Sequence, residues 1–381
     1  MNLHLGVELV SHLQLSLALF LTFALSFCSI WGRCSSCGCT KEDKPFMLQL
    51  LEWSLRGVAQ VILVNNPLSG AIILCALTMH SPWHVLLGTV GLLSSTLTAL
   101  IIGQNSKEVS QGFHGFNGML VAILISLFSA RGDWYWWLLI PCCLAGATCT
   151  FLYSGLSTVL GQWDLPVGVF PFNMVIMLYL ACTGTSNAYF PHQPVPPPGM
   201  LEHGNHTELD ITRLLVGVPV GVGQVYACDE LWASVVILAA VFLFSPLMCA
   251  HALLGSGLGI LAGLSLAVSH VSLYSGLMGL NSALGCMSIG GLFYILNWKT
   301  HLLAIASAFL SAYSNIGLTN VLGMVGLPAS TWAATLTVTL MMLLTGQSLS
   351  SYRLPLSRVS SPEHSLRTRG CWTAADTNAY V

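Results

Sequence analysis

Charged residues are scarce in this chain. Among 381 residues, 12 are Lys or Arg and 14 are Asp or Glu, so 7% are charged, against about 25% in an ordinary soluble domain. Three long stretches, 57–106, 231–298 and 300–352, carry no charge at all. A soluble enzyme would not expose so much uncharged chain to water. A nucleic-acid-binding protein needs a basic patch, which is missing, and the apolar composition excludes a disordered chain.

Apolar residues fill the chain instead. They make up 55% of the residues, and the mean hydropathy is +0.76. About 20 residues of helix cross the ~30 Å hydrocarbon core of a bilayer, so we expect an all-α polytopic membrane protein. A hydropathy window of about 19 residues predicts spans at 48–64, 67–80, 84–103, 116–129, 134–153, 168–183, 214–228, 231–250, 252–268, 277–294, 300–317 and 328–346.

The alternation of apolar and polar segments predicts five parts. They are an N-terminal segment (1–43), a first repeat (44–187), an extracellular loop (188–210), a second repeat (211–346) and a cytoplasmic tail (347–381). The run Leu13–Trp31 is apolar but lacks a preceding basic residue. It therefore favours an extra membrane-associated helix over a cleaved signal peptide.

Short polar motifs predict the orientation. The extracellular loop carries the N-glycosylation sequon Asn205-His-Thr207, a surface motif of secreted or extracellular segments. The tail carries four arginines between 353 and 369, and an excess of basic residues is typical of the cytoplasmic side. We therefore expect a plasma-membrane glycoprotein in contact with lipid, with both termini in the cytoplasm. Cys34, Cys37 and Cys39 border the first apolar run and are candidates for palmitoylation.

The chain repeats itself at a nearly constant offset. The pairs 164 positions apart are Gln60-Val61 with Gln224-Val225, Ser81-Pro82 with Ser245-Pro246, Gly115 and Asn117 with Gly279 and Asn281, and Trp134 with Trp298. Leu165-Pro166 recurs as Leu327-Pro328 after 162 positions. Internal repeats in transporters place the substrate site near the midplane, where the two copies meet.

Polar side chains inside apolar spans need a reason, because hydrocarbon penalises unpaired polar groups by several kcal/mol. Gln60 and Gln224 are two such polar residues, and they lie at matching positions of the two copies. One buried glutamine is usually a hydrogen-bonding contact between helices, but a matched pair favours a solute site. The Leu-Pro pairs predict short helices that begin at Pro166 and Pro328 within the membrane, with an ordinary proline-capped span as the alternative.

Motifs of enzymes are missing from the sequence. No phosphate-binding loop, nucleophile elbow or metalloprotease motif occurs. His80 and His84 are four residues apart, but Pro82 lies between them and should break a shared helix. No catalytic activity, cofactor or metal site is predicted. The polar but uncharged residues within the spans best fit the transport of a neutral, hydrogen-bonding solute.

Several segments together resemble the vertebrate facilitative urea transporters, over about residues 44–361. They are Arg56-Gly-Val-Ala-Gln60, Val64-Asn-Asn-Pro-Leu-Ser-Gly70, Trp163-Asp-Leu-Pro-Val-Gly-Val-Phe-Pro-Phe-Asn173, Pro219-Val-Gly-Val-Gly-Gln-Val-Tyr226, Ser245-Pro-Leu-Met-Cys249 and Val325-Gly-Leu-Pro-Ala-Ser-Thr-Trp332. The resemblance implies a homotrimer in which each protomer has its own central pore. Two homologous inverted halves, each of five spanning helices and one re-entrant half-helix, would surround that pore.

The resemblance also implies site residues. Urea would pass by facilitated, channel-like diffusion through a slot with an oxygen ladder and apolar walls. The residues carried over by position are Gln60 and Gln224 at the outer sites, Thr331 and Val169 at the middle site, and Phe113, Phe116, Leu277 and Leu280 as walls.

This sequence departs from the family's pattern of Leu-Pro-x-x-Thr-x-Pro-Phe in both copies. Val169 replaces the first Thr, and Ala333-Ala334 replace the second Pro-Phe. Glu230 and Leu231 replace an Asn-Pro pair. Three hypotheses stay open. The chain is a urea channel, a divergent paralogue for other small neutral solutes such as ammonia, water or methylurea, or a non-conducting subunit that joins a working paralogue.

Overall fold

The computed structural model describes residues 45–196, 209–344 and 351–368. The chain forms two units, 1–52 and 53–381, and the second contains the end of the first helix and every later element. The predicted helix at Leu13–Trp31, the cysteines of the N-terminal segment and the sequon at Asn205 lie outside the described residues. Within them the protein is helical without β-strands, so the expected all-α class is confirmed for that part.

The helices follow the predicted spans closely. In the first half they are α1 Phe46–Gln60, α2 Pro67–His80, α3 Pro82–Ile101, α4 Ser106–Ser110, α5 Gly115–Phe128, α6 Leu139–Leu160 and α7 Phe170–Thr183. In the second half they are α8 Ile211–Gly223, α9 Leu231–Phe244, α10 Pro246–Ser265, α11 His270–Tyr274, α12 Leu277–Met287, α13 Trp298–Gly323 and α14 Trp332–Met342. The segment Ser288–Leu292 after α12 is a kink in which Gly290 and Gly291 leave helical backbone.

Four helical segments are long and apolar enough to cross a membrane. They are Pro82–Ile101, Trp136–Trp163, Pro246–Ser265 and Trp298–Gly323. A fifth candidate is the pair Ile211–Tyr226 and Leu231–Phe244, which is bent by 75° as a broken span or a re-entrant loop would be. The described part of the chain is therefore consistent with a helical membrane protein.

Serine caps determine where two of these spans begin. The Ser81 hydroxyl accepts the backbone N–H of His84, and the Ser245 hydroxyl accepts that of Met248. In both helices the next residue is proline, whose missing N–H costs nothing in the first turn. The predicted boundary between spans 231–250 and 252–268 is therefore wrong. The break lies at Ser245, as it does at the matched Ser81.

Backbone geometry recurs at the offsets found in the sequence. Pairs with left-handed φ are Leu63 and Ala227, Gly103 and Ala267, Gly112 and Gly276, Asp164 and Gly326, and Gly168 and Ser330. The first three pairs are 164 positions apart and the last two are 162 apart. The packing matches as well, because a Cβ at Gly112 would collide with the backbone of Gly57, and one at Gly276 with that of Gly221.

The Leu-Pro segments form turns, and the prediction that helices begin at their prolines is wrong. Gly168 and Ser330 have φ of +53° and +47°, a conformation that a right-handed helix excludes. The helices α7 and α14 therefore start only after these turns. With 14 and 11 residues they extend about 21 and 17 Å at 1.5 Å per residue, which is shorter than a bilayer core.

The tail packs against the helical part at 351–368. The Arg353 guanidinium donates to the carbonyls of Met342 and Trp163, both at 3.0 Å, and to that of Asp164 at 2.6 Å. The Glu363 carboxylate accepts from the Ser245 hydroxyl at 2.7 Å. Arg353 thus connects the end of α14 to the turn that precedes α7.

Candidate functional site

Each candidate glutamine lies at the end of a helix, in a matched turn. Gln60 ends α1, and Gln224 follows α8 directly. The Leu63 N–H donates to the Gln60 carbonyl at 2.9 Å, and the Ala227 N–H donates to the Gln224 carbonyl at 2.9 Å. The left-handed residue at the fourth position of each turn, Leu63 or Ala227, reverses the chain. The two side chains are therefore presented by the same local structure.

The two amides differ in their partners. The Gln224 Nε2 donates to the Ser275 carbonyl at 2.8 Å. The Gln60 Oε1 is buried and has no hydrogen-bond partner among the described atoms. A buried acceptor without a donor costs about 1–3 kcal/mol. Gln60 therefore has an acceptor oxygen that no donor of the described residues satisfies.

Two matched asparagines hold the turns before α7 and α14. The Asn117 Nδ2 donates to the Gly168 carbonyl, and its Oδ1 accepts the Phe172 N–H, both at 3.1 Å. Asn281 repeats this arrangement on the carbonyl of Ser330 and the N–H of Ala334, both at 3.0 Å. Each asparagine thus satisfies one free N–H of a helix start and fixes the left-handed residue before it.

The predicted middle-site residues are the N-caps of these helices. Val169 and Thr331 have nearly the same backbone, with φ of −100° and −105°. Thr331 is buried, and its hydroxyl lies 3.0 Å from the Asn173 Nδ2. Val169 is half-buried and packs against the apolar core. At this matched position only the second half carries a hydroxyl.

The predicted wall residues differ in exposure. Phe116 is 5% exposed, whereas Leu277 is 45% exposed at the start of α12. Phe113 and Leu280 are partly buried against the main apolar cluster. Phe113 matches Leu277, and Phe116 matches Leu280, at the offset of 164. Their role as walls stays a prediction.

Glu230 marks the main departure from the family pattern. It is the N-cap residue of α9 without a side-chain capping bond, and its carboxylate accepts from the Trp232 indole N–H. Asp229 Oδ1 lies 3.9 Å from the His80 Nε2, and Glu230 Oε1 lies 3.8 Å from the His80 Nδ1. The carboxylate of Glu230 is half-exposed. It therefore lies beside the end of α2 and already has an indole partner.

The histidines do not assemble into a metal site in the described ranges. His80 ends α2, whereas His84 lies in the first turn of α3, so Pro82 separates them as expected. His251 and His301 do meet, with Nε2 and Nδ1 3.3 Å apart. The group of His, Cys, Asp and Glu side chains needed to hold a metal is not present there.

Sequence reasoning missed Asn173. This residue is fully buried in α7 and hydrogen-bonds to Thr331, the N-cap of α14, and to Thr335 within α14. An asparagine within the predicted apolar span 168–183 is a sequence signal that could have been noticed. Its partners could not, because they lie about 160 positions away in the other half.

Comparison with known proteins identifies relatives over most of the chain. A family model described as "Urea transporter" matches residues 51–346. Urea transporter 1 of Rattus norvegicus is 46% identical over 322 residues, which cover 84% of each chain. Urea transporter 1 of Ovis aries and of Mus musculus are each 45% identical over the same length and the same shares. The resemblance carried by the sequence motifs is therefore confirmed.

Proposed function

We propose, on the premise that the chain belongs to the urea transporter family, that it passes urea down its gradient through a slot between its two halves. The observation that carries this is the similarity to Urea transporter 1 over 84% of the chain. Passive urea transport follows from that membership. Members of the family are transporters, so the chain is not an enzyme.

The two halves are inverted repeats around a central pore. Five pairs of left-handed residues at offsets of 164 and 162 support this arrangement, as do the matched glutamine turns and asparagine contacts. Each half contributes five spanning helices and one re-entrant half-helix. The shortness of α7 and α14 and the 75° bend between α8 and α9 are consistent with helices that stop within the bilayer.

The oxygen ladder accepts hydrogen bonds from the N–H groups of urea. Urea has four N–H donors and one carbonyl acceptor, and each donor left without a partner in a dry slot costs about 1–3 kcal/mol. Gln60 and Gln224 are the outer partners, and Thr331 is the middle hydroxyl. The free Oε1 of Gln60 supports this assignment. Val169 is the apolar residue at the matched middle position, and Phe113, Phe116, Leu277 and Leu280 are the apolar walls.

The proposal also covers the cellular location, the oligomeric state and the orientation of the protein. The protein lies in the plasma membrane as a homotrimer of separate pores, each embedded in lipid. Asn205 is glycosylated in the extracellular loop 188–210, and both termini are cytoplasmic. The exposed Leu, Ile, Val and Phe side chains along the long helices fit a lipid-facing surface.

Stopped-flow urea flux into proteoliposomes tests this proposal. The wild type should pass urea many times faster than empty liposomes, and Gln60→Ala and Thr331→Val should slow it. Thr148→Val is a matched control, because the Thr148 hydroxyl donates only to the Leu144 carbonyl of its own helix. Flux no faster than empty liposomes would refute the proposal. Flux of methylurea or ammonia without urea would favour the divergent paralogue, and flux only with a co-purified paralogue would favour the non-conducting subunit.

A further inference from the structure

Asn173 is a fully buried amide in an apolar helix. It lies in the first turn of α7, and none of its surface is exposed. A buried amide without hydrogen-bond partners is strongly disfavoured, so its contacts decide what it does. All of its side-chain partners belong to the start of α14.

Both ends of the amide contact Thr331. The Asn173 Nδ2 donates to the Thr331 hydroxyl at 3.0 Å. The Asn173 Oδ1 accepts the Thr331 backbone N–H and the Thr331 hydroxyl, both at 3.2 Å. The second N–H of Nδ2 points to the Thr335 hydroxyl at 3.3 Å. Asn173 therefore uses its whole hydrogen-bonding capacity on one turn of the opposite half.

These contacts decide which part of the Thr331 hydroxyl stays free. An amide N–H can only donate, so it occupies one lone pair of the hydroxyl oxygen. The hydroxyl proton is taken by the Asn173 Oδ1. Thr335 cannot supply another proton, because its own hydroxyl donates to the Thr331 carbonyl at 2.7 Å. What Thr331 has left to offer a solute is a lone pair, which is an acceptor.

The pairing of an amide with an N-cap hydroxyl is not repeated at the matching positions of the two halves. At the offset of 162, Val169 matches Thr331 and Asn173 matches Thr335. The first half thus provides an amide without a hydroxyl at the N-cap, and the second half provides the hydroxyl. The contact crosses from one half to the other.

We propose that Asn173 is a positioning residue that holds the Thr331 hydroxyl as a hydrogen-bond acceptor, so that the middle site favours solutes rich in N–H donors. This inference rests on the proposed function. Without Asn173 the hydroxyl rotates freely and donates as readily as it accepts. Discrimination between urea and a planar amide with fewer N–H groups then falls.

A double-mutant cycle on solute selectivity tests the inference. Permeability to urea, with four N–H bonds, and to acetamide, with two, is measured in proteoliposomes. The proteins are the wild type, Asn173→Ala, Thr331→Val and the double variant. Loss of one hydrogen bond changes a binding constant about two- to tenfold, so each single variant should lower the urea-to-acetamide ratio about threefold or more. The double variant should match Thr331→Val, because Asn173 acts through that hydroxyl.

Two further measurements complete the test. Thermal unfolding of each purified variant checks that it folds, and Asn173→Asp replaces Asn173→Ala in the cycle if the alanine variant does not. An unchanged ratio in a folded Asn173 variant, or losses that multiply in the double variant, would overturn the inference while leaving wild-type urea flux intact. If the wild type passes neither solute faster than empty liposomes, the proposed function is wrong and the inference falls with it.

Discussion

Asn281→Ala should destabilise the protein more than the matched Asn117→Ala. Asn281 is fully buried and makes three side-chain hydrogen bonds, each of 3.0 Å, to Asn315, Ser330 and Ala334. Asn117 makes two, to Gly168 and Phe172. The same substitution at matched positions thus removes three partners in one half and two in the other.

The magnitude follows from the groups left behind. A buried donor or acceptor that loses its partner costs about 1–3 kcal/mol. At the lower limit, Asn281→Ala costs about 3 kcal/mol and Asn117→Ala about 2 kcal/mol. At about 2 °C per kcal/mol, the unfolding temperatures fall by about 6 and 4 °C. Ser330 adds to the first value, because its left-handed backbone loses the contact that holds it.

Thermal unfolding in detergent and urea flux in proteoliposomes are the assays. Asn281→Ala should also slow urea flux, since Thr331 follows the released turn directly. Thr148→Val is the control, and we expect it to change the unfolding temperature by less than 1 °C, on the order of surface substitutions. Equal shifts for the two asparagine variants, or a larger one for Asn117→Ala, would show that these hydrogen bonds do not hold the turns.

Three other predictions concern separate parts of the molecule. Val169→Thr should raise the ratio of urea to methylurea permeability in the liposome assay, because it restores a hydroxyl at the matched middle position; an unchanged ratio would exclude Val169 from the pathway. Arg353→Ala should speed hydrogen exchange of the Leu354 and Ile295 amides roughly tenfold, since these bond to Phe293 and Tyr352 beside the docked tail; unaltered exchange would mean the arginine does not hold the tail. Burial lowers the pKa of the His192 imidazole below its ordinary value, so the folded protein prefers the neutral ring. The resulting stability is present above the unfolded pKa of about 6.5 and is lost as the pH falls through the lower folded pKa. The unfolding temperature should therefore drop in mild acid, and His192→Gln should reduce that drop.

Local sequence signals predicted most of the helices. Hydropathy located the spans because a helix that faces lipid must be apolar along its length. The gap between the predicted spans 67–80 and 84–103 agrees with the observed boundary at Ser81-Pro82, where a serine cap and a first-turn proline act within four residues. The window placed the second boundary at 250–252 and not at Ser245, where the same dipeptide lies between the apolar residues Phe244 and Leu247. A hydropathy window averages over the serine cap and therefore does not mark where one helix ends and the next begins.

The Leu-Pro turns show a different limit. The sequence predicted a break before Pro166 and Pro328, and the structure has one. The helices begin later, because Gly168 and Ser330 adopt left-handed backbone. For Ser330 this conformation is unfavourable alone, and a contact from Asn281 stabilises it. A distant side chain therefore decided the start of α14.

The sequence by itself determined the membrane class and the family, and it predicted the internal repetition and the paired glutamines. These depend on composition, on periodic apolar patterning and on residues that recur at one offset, all of which are visible in the sequence without the fold. Only the tertiary structure decided that Asn173 holds Thr331 and that Arg353 joins the end of α14 to the turn before α7. The contact of Asn173 with Thr331 connects residues 158 positions apart, and that of Arg353 with Trp163 connects residues 190 positions apart. The physical reason is that a polar side chain inside a span needs a partner, whereas which partner it finds depends on the helices that pack beside it.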